Sequence, residues 1–275
     1  MLAYIEANLG EPLDVITLAR VAAFSPFHFQ RQFTATFGLS VGRYVQMHRL
    51  RRAAFGLAFR EDSVTDIGLA SGYDASEAFS RAFRRELGVS PTAFRNDPDW
   101  DSWHAAFDQL QPMGEKTGMD YAQQLTIEDT NDIEVAVLSH RGDPKRIGDS
   151  VRRFIAWRRA SGLPPSRSRT FNIFHTPPDV EPDDYRVDLC AEVPAADVAV
   201  DDSMRLSTIP GGRVAVVHHR GSDEEMAAAF LWLYQTWLPQ SGEEIRDFPP
   251  YLERLSFYPD VPQSQAEWRV VLPLR

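Results

Sequence analysis

One pattern of residues occurs twice within the first third of the chain. The matching positions, fifty residues apart, are Phe29, Arg31, Phe33, Phe37, Gly38, Ser40 and Tyr44 in the first copy and Phe79, Arg81, Phe83, Leu87, Gly88, Ser90 and Phe94 in the second. The large apolar residues recur every four positions, which places them on one face of a helix, and the glycine that follows favours the left-handed conformation of a helix end. Two copies are too few for a solenoid, so the pattern indicates a duplicated supersecondary unit.

Each copy has a shorter helix upstream of the aromatic one. Residues Ser63 to Asp66 have the Ser-x-x-acid form of a capping box, and a tight turn at Gly72 separates that helix from the next. In the first copy, Ser25 and Pro26 are a typical helix start. A short helix, a tight turn and a longer helix form a helix-turn-helix. We expect the two units at about residues 15–37 and 64–87, joined by one long helix over about 41–59.

Outward-facing residues near the start of each longer helix are the candidates for DNA contact, because that end of a recognition helix meets base edges. They are Phe27, Gln30 and Arg31 in the first unit and Ser76, Glu77, Ser80 and Arg81 in the second. Arginine can bridge a guanine, glutamine an adenine, and a phenyl ring can pack on a thymine methyl. Two alternatives stay open: Arg31 contacts only phosphate, or Phe27 belongs to the core. Glu77 can accept a hydrogen bond from cytosine, yet its charge also repels phosphate.

Charge is divided unevenly along the chain. The net charge is −10, but residues 1–97 contain eleven arginines, no lysine and ten acidic residues, which leaves +1. Residues 98–275 contain eighteen basic and twenty-nine acidic residues, which leaves −11. The field of the second part repels phosphate, so DNA must bind the first part, through arginines that cluster locally. Such binding has modest non-specific affinity and is sensitive to salt.

With these motifs, residues 1–97 resemble the DNA-binding domain of the AraC/XylS family of transcription regulators. The resemblance implies an all-α domain of seven helices, whose two recognition helices enter successive major-groove segments of promoter DNA. Two such helices in one chain make a dimer unnecessary, so we expect a monomer, with RNA polymerase as a further partner if the protein is an activator. One cysteine, no signal peptide and no long apolar run favour a cytoplasmic protein without a membrane partner.

The repeated pattern stops after residue 97. Trp100, Trp103 and Phe107 are spaced for one short amphipathic helix, and a Pro-Met-Gly break at residues 112–114 follows. We expect residues 98–121 to be a linker with a short helix, and residues 122–275 to be a second domain.

The second domain contains a repeat of its own. Residues 134–142 (EVAVLSHRG) and 213–221 (RVAVVHHRG) lie seventy-nine positions apart, and each predicts an alternating strand that is followed by a helix. Further strands are expected at about residues 170–175, 185–193 and 267–274. This mixture predicts an α+β domain of two pseudo-symmetric β-α-β-β halves, with a ligand cleft at their junction.

The two His-Arg-Gly strand ends, with LYQTWLPQSG at 233–242 and PPYLE at 249–253, resemble the GyrI-like small-molecule-binding domain. The resemblance places Glu253 in the cleft and implies a drug-like effector. A carboxylate among aromatic rings favours a cationic or neutral lipophilic ligand. The candidate wall residues are Trp157, Phe171, Phe174, Tyr234, Trp237 and Tyr251. The alternatives are that Glu253 pairs at the surface with Arg254, Arg246 or another arginine, and that most of these aromatic residues are core.

Motifs for a metal or a nucleotide phosphate are absent from the sequence, which has no cysteine pair, no His-x-x-x-His spacing and no glycine-rich phosphate loop. We therefore expect a ligand-responsive transcription regulator without a cofactor, and not an enzyme. Two alternatives remain for the second domain. Glu253 with Tyr251 or Tyr234 can activate water, as in a hydrolase of electrophilic compounds, or the domain can be a protein-interaction and sequestration module.

Overall fold

The computed structural model describes residues 1–107, 110, 121–176, 180–194, 200 and 203–275. The chain divides into two compact units, Met1–Thr117 with Tyr258–Pro262, and Gly118–Phe257 with Gln263–Arg275. A short piece from late in the chain thus belongs to the first unit. The part of the predicted linker that follows its helix lies almost entirely outside the described residues. Within the described residues, every helix is too short or too polar to span a lipid bilayer.

Eight α-helices build the described part of the first unit. They are α1 (Leu2–Ala7), α2 (Val15–Val21), α3 (Pro26–Phe37), α4 (Val41–Phe59), α5 (Val64–Ala70), α6 (Ser76–Leu87), α7 (Pro91–Asn96) and α8 (Trp100–Phe107). The pairs α2–α3 and α5–α6 are the two helix-turn-helix units, at the places the repeat predicts. α4 is the long connecting helix between them, and α8 coincides with the short helix predicted after the repeat.

Polar side chains and glycines set the ends of these helices. The residues whose side chains accept a hydrogen bond from the backbone N–H three residues later are Asp14, Ser25, Ser40, Ser63, Ser90 and Asp99. A cap of this kind stabilises a helix by about 1 kcal/mol. Gly38 and Gly88 end α3 and α6 in the left-handed conformation, with φ of 69° and 73°. A residue with a Cβ pays about 1–2 kcal/mol there, which explains the glycine in both copies.

One hydrophobic cluster holds the first unit together. Both aromatic repeats contribute to it, and the central helix α4 contacts α3, α5 and α7. Met47 and Leu50 of α4 have no exposed surface. The ring of Tyr258 packs edge-on against Phe55 of the same helix, with 4.8 Å between the ring centroids. Because both helix-turn-helix units share this core, the duplicated segment folds as one body.

The second unit is an antiparallel sheet with helices. Its strands are β1 (Leu125–Thr130), β2 (Ile133–Arg141), β3 (Thr170–Phe174), β4 (Arg186–Glu192), β5 (Arg205–Ile209), β6 (Gly212–Arg220), β7 (Tyr251–Arg254) and β8 (Glu267–Pro273). Its α-helices are α9 (Ile147–Ala160), α10 (Asp223–Trp232) and α11 (Leu238–Ser241), with a π-helical segment at Leu233–Trp237. The strands lie in the order β1-β6-β8-β7-β3-β4-β2-β5.

Two halves of the sheet meet at the antiparallel pair β3–β7. One half is β2-α9-β3-β4 and the other is β6-α10-β7-β8, so the predicted α+β class with two β-α-β-β halves is confirmed. The sequence interpretation did not include β1, β5 and β7. β1 and β5 exchange between the halves, because β1 pairs with β6 and β5 with β2. Both are edge strands with largely exposed, polar residues, so they lack the apolar alternation that reveals a strand.

The two faces of the sheet differ in what covers them. α9 packs on one apolar cluster and α10 on another. The strand residues of both clusters lie on the same side of the sheet. A third apolar cluster, which includes Phe171, Val214 and Tyr251, lies on the other side. We call this second side the open face.

Candidate nucleic-acid interface and ligand cavity

The first recognition helix, α3, buries its aromatic side and exposes a polar one. Phe29 and Phe33 are each 3% exposed, whereas Phe27 is 64% exposed, so the core alternative for Phe27 is wrong. Gln30 and Arg31 are exposed as well. The guanidinium of Arg31 lies 5.6 Å from the centroid of the Phe27 ring. At this distance the ring attracts the cation, so α3 presents a positive charge beside an apolar surface.

The second recognition helix, α6, has the same buried face but a different outer one. Of the predicted contact residues, Glu77 and Arg81 are exposed, and Ser76 and Ser80 are half-buried. Fifty residues separate Glu77 from Phe27, so the two helices carry a carboxylate and a phenyl ring at the same position. Arg81 matches Arg31 in the same way. The two helices therefore share one arginine position and differ beside it.

Arginines of the connecting helix α4 are partly used inside the unit. Arg43 Nη2 donates to Glu86 Oε1 at 2.6 Å, and Arg49 Nε donates to the carbonyl oxygen of Leu9 at 2.8 Å. The exposed arginines on the recognition helices are Arg31, Arg81, Arg84 and Arg85. The positive surface available for phosphate thus includes the helices that also carry the candidate base contacts.

A cavity of about 210 Å³ lies on the open face of the second unit, where its halves meet. Three of the predicted residues, Phe171, Tyr251 and Glu253, line it together. The strand register explains this, because Phe171 on β3 and Glu253 on β7 are direct cross-strand partners. Val214 and Val271 add apolar wall. The cavity therefore combines two aromatic rings and aliphatic side chains with a polar part, which comprises Glu253, Arg169, Arg269 and the segment 129–132.

Glu253 is only 5% exposed, which is unusual for a carboxylate. Arg269 Nη1 donates to its Oε2 at 3.0 Å, and Arg169 Nη1 lies 3.7 Å from its Oε1. The alternative that Glu253 pairs with an arginine is thus partly correct. The pair lies in a buried cavity and not at the surface, and its partners are neither Arg254 nor Arg246. Arg254 Nε instead donates to Asn172 Oδ1 at 2.9 Å.

Two further carboxylates hold the arginines of the cavity. Arg169 donates from Nε and Nη2 to both oxygens of Glu192, at 2.9 and 3.0 Å, and this hydrogen bond lowers the pKa of Glu192. Arg269 Nη2 donates to Glu128. With Glu253, these side chains comprise three carboxylates and two guanidinium groups. The cluster therefore has one negative charge in excess, which favours a cationic over an anionic ligand.

Tyr251 contributes a neutral phenol to the cavity. It is 3% exposed, and burial, followed by the neighbouring charge of Glu253, raises its pKa to about 12. Its ring meets Phe171 edge to face, with 6.1 Å between centroids. A phenol that stays protonated and a carboxylate already paired with arginines are poorly suited to activate water. The geometry gives the hydrolase alternative no support.

The other four predicted wall residues do not line this cavity. Trp157 and Trp237 pack in the clusters of the helix-covered side, and so does Phe174. Tyr234 lies on the π-helical segment and is 37% exposed. For Phe174 the reason is parity: three positions separate it from Phe171 on β3, so their side chains point to opposite faces. Of the seven predicted ligand-binding residues, three therefore lie together in this cavity.

Arg169 and Arg269 are the two cavity residues in contact with Glu253 that the sequence interpretation missed. A weak signal exists for Arg269, because it shares the strand parity of the buried Val271 in the apolar run WRVVL. Arg169 directly precedes β3 and gives no comparable signal. The sequence interpretation included them only as "another arginine" that pairs with Glu253, since the strand pairing that brings them to Glu253 cannot be read from composition.

Comparison with known proteins agrees with this division of the chain. A model of the GyrI-like small molecule binding domain matches residues 123–275, and a helix-turn-helix domain model matches residues 18–97. Right origin-binding protein of Escherichia coli (strain K12) is 27% identical over 265 residues, which cover 91% of this chain and 89% of that protein. Probable transcriptional regulator YgiV of the same organism is 32% identical over 154 residues, which cover 54% of this chain and 95% of that protein.

Among solved structures, the DNA-binding domain of AdpA in complex with a target DNA is 30% identical, with a TM-score of 0.33. The match covers 38% of this chain and 89% of that one. The GyrI-like model alone covers more than half of the chain, and the helix-turn-helix model covers most of the duplicated segment. The chain therefore belongs to the GyrI-like small-molecule-binding family and joins that domain to an AraC-type helix-turn-helix domain.

Proposed function

We propose that this protein is a sequence-specific transcription regulator whose GyrI-like domain binds a lipophilic cationic or neutral effector. The α3 and α6 faces read two adjacent major-groove segments of promoter DNA. A single chain supplies both helices, so the protein acts as a monomer, and as an activator it would also contact RNA polymerase. Domains of 1–97 and 122–275 around a linker carry these two tasks.

The observation that carries the DNA-binding half is the exposed arginine at the same place on both recognition helices. Arg31 and Arg81 are fifty residues apart, and each projects from a helix whose opposite face is buried. An arginine can donate two hydrogen bonds to the O6 and N7 of guanine, which discriminates against other bases by about 1–3 kcal/mol. Phe27, Gln30, Ser76, Glu77 and Ser80 complete the two reading faces.

Fluorescence anisotropy on a duplex selected from random sequences by the full-length protein tests this half. We expect Arg31→Ala and Arg81→Ala each to weaken binding to the selected duplex by at least about 1 kcal/mol, and to scrambled DNA by less. Arg167→Ala, which removes an exposed arginine of the second unit, should leave both affinities unchanged. If the Arg31→Ala and Arg81→Ala substitutions each weaken binding to the selected and the scrambled duplex equally, or weaken neither, the base-reading role is wrong.

The effector half rests on the cavity beside Glu253. Its apolar walls favour a lipophilic compound, and its buried carboxylate with one excess negative charge favours a cation. Of the two relatives compared above, one is named an origin-binding protein and the other a probable transcriptional regulator, which supports sensing over turnover. Ligand binding alters DNA affinity only if the ligand prefers one conformation of the protein, so effector and DNA must show mutual coupling.

Thermal denaturation of the full-length protein against a panel of lipophilic cations, neutral compounds and anions tests the effector half. A ligand at one hundred times its Kd stabilises the folded state by about 2.7 kcal/mol. We expect cations and neutral compounds to raise the melting temperature, and Glu253→Gln to abolish the advantage of the cations. Stabilisation by anions alone would overturn the proposed ligand class.

A further inference from the structure

The protein already fills the place where a cationic ligand would bind. The guanidinium carbon of Arg169 lies 5.3 Å from the centroid of the Phe171 ring, which is within cation–π range. The same guanidinium approaches Glu253 Oε1 with its Nη1, at 3.7 Å. One internal cation thus uses both the ring and the carboxylate that a bound cation needs.

The two arginines around Glu253 are held differently. Arg269 is the direct cross-strand partner of Glu253 in the β7–β8 pair, and it donates a 3.0 Å hydrogen bond to Oε2. Arg169 lies before β3, and its 3.7 Å contact with Oε1 is longer than a hydrogen bond. Arg269 is therefore part of the cavity wall, whereas Arg169 can leave Glu253 without breaking a hydrogen bond to it.

Arg169 also has a second partner, Glu192, which can hold it after it moves away from Glu253. Its Nε and Nη2 form the two-point pair with Glu192, and the side chain is 46% exposed at the rim of the cavity. Phe171, by contrast, is 1% exposed and Glu253 is 5% exposed. A rotation of the arginine about the Glu192 pair would take its charge away from the Phe171 ring and from Glu253 Oε1 together. A ligand then gains both without having to strip water from a free buried charge.

We propose that Arg169 occupies the position of the charged group of the effector, and that the effector is an aromatic cation with a planar amidinium or guanidinium group. This inference rests on the proposed function, because it assigns the ligand class of the same cavity. The ligand lays its planar cation on Phe171, donates to Glu253 Oε1 and displaces Arg169 toward Glu192. Arg169 is thus a specificity-determining residue that makes cation binding a competition with the protein itself.

We infer a planar cation in the ligand because the cavity already holds the planar guanidinium of Arg169. A guanidinium is flat, so it stacks on a phenyl ring and presents its N–H groups in the plane to a carboxylate. An ammonium group has no flat face to stack on the ring and no pair of coplanar N–H groups to present to the carboxylate. The remaining Oε1 acceptor and the apolar walls formed by Val214 and Val271 suit a flat cation that carries a hydrocarbon ring.

Benzamidinium and benzamide provide matched probes, because they have nearly the same shape and differ in charge. Titration calorimetry on the full-length protein at 0.15 M salt, where long-range charge effects are screened beyond about 8 Å, compares four proteins. They are the wild type, Arg169→Gln, Glu253→Gln and the control Arg167→Gln. Arg167 is an exposed arginine two residues before Arg169, so its removal changes the net charge equally.

We expect Arg169→Gln to bind benzamidinium roughly tenfold more tightly than the wild type, with benzamide changed by less than about twofold. Glu253→Gln should lose the preference for benzamidinium, and Arg167→Gln should behave as the wild type. An equal gain in Arg167→Gln would mean that only bulk charge matters, and weaker binding in Arg169→Gln would mean that Arg169 helps to hold the ligand. Either result overturns the inference.

The remaining outcomes separate this inference from the proposed function. If Glu253→Gln loses benzamidinium but Arg169→Gln equals the wild type, the cavity is the effector site and the competition by Arg169 is wrong. If no protein binds benzamidinium and other compounds still stabilise the wild type, the amidinium class is wrong while the effector role stands. Melting temperatures of the variants confirm that each is folded, since the Arg169 side chain is nearly half exposed.

Discussion

The two helix-turn-helix units have nearly the same buried face and clearly different exposed faces. Phe33 and Phe83 are 3% and 0% exposed, and the glycine after each helix has nearly the same φ. Outside, Phe27 in the first unit is replaced by Glu77 in the second. Packing in a shared core restricts what a duplicated position can become, whereas an exposed position is free to diverge. The comparison therefore separates residues that make the fold from residues that make each recognition face.

The largest expected effect is a loss of stability on mutation of the buried face that the two units share. Phe33→Ala and Phe83→Ala should each lower the free energy of unfolding of the first unit by about 3–5 kcal/mol, because each leaves a cavity in a closely packed core. Urea denaturation followed by circular dichroism measures the change. Phe27→Ala is the matched control, since a 64% exposed ring should cost less than about 0.5 kcal/mol. A cost confined to one of the two buried positions would mean that the two copies do not share one core.

This difference also explains how much the sequence could predict. In the first unit, a 3.6-residue period, capping side chains and an internal repeat all point to the same helices, so their positions follow from local signals. The recognition faces follow in turn, because a residue on the side opposite Phe33 must be exposed. No contact between distant residues is needed for either step.

The second unit depends on contacts that are distant in the chain. Glu253 meets Arg169 and Arg269 only because β7 lies between β3 and β8, and that order is not encoded in any single strand. The sequence interpretation assigned Trp157 and Phe174 to the wall of the ligand cleft because they are aromatic. Strand parity would have separated Phe174 from Phe171, but the Trp157 position needed the packing of α9 on the sheet.

The second prediction concerns a buried histidine that only the first copy has. His48 of α4 is 7% exposed, and burial lowers its pKa to about 3; fifty residues later the chain has Pro98. The unfolded chain binds a proton near pH 6.5 and the folded one does not, so stability falls as the pH drops below about 6.5. Between pH 7 and pH 5 this group should remove about 2 kcal/mol.

Urea denaturation of the wild type and His48→Gln at several pH values isolates this contribution. Other groups titrate in both proteins, so the difference between the two pH profiles reports His48. We expect the wild type to lose more stability than the variant on acidification to pH 5. Parallel profiles would show that His48 is protonated as readily in the folded protein as in the unfolded chain.

The third prediction concerns the helix starts, where the copies differ again. The Ser25 side chain caps α3, whereas Ala75 at the start of α6 has no side-chain cap. Ala75 already has the extended conformation of a capping residue, with φ of −146° and ψ of 142°. Ser25→Ala should therefore cost about 1 kcal/mol, and Ala75→Ser should gain somewhat less than that. Ala35→Ser, in the middle of α3, is a control that should not stabilise the protein.

The smallest effect tests the divergent outside itself. Glu77→Gln removes a negative charge from the exposed face of α6, which we propose to be its DNA-binding face. If Glu77 mainly repels phosphate, as we expect, the variant binds target and scrambled DNA a few-fold more tightly, and the gain disappears at high salt. Asp101→Asn, which removes an exposed charge from α8, should have no such effect. Loss of target binding alone would instead show that Glu77 accepts a hydrogen bond from a cytosine. The second copy would then read bases with a carboxylate at the position where the first copy has a phenyl ring.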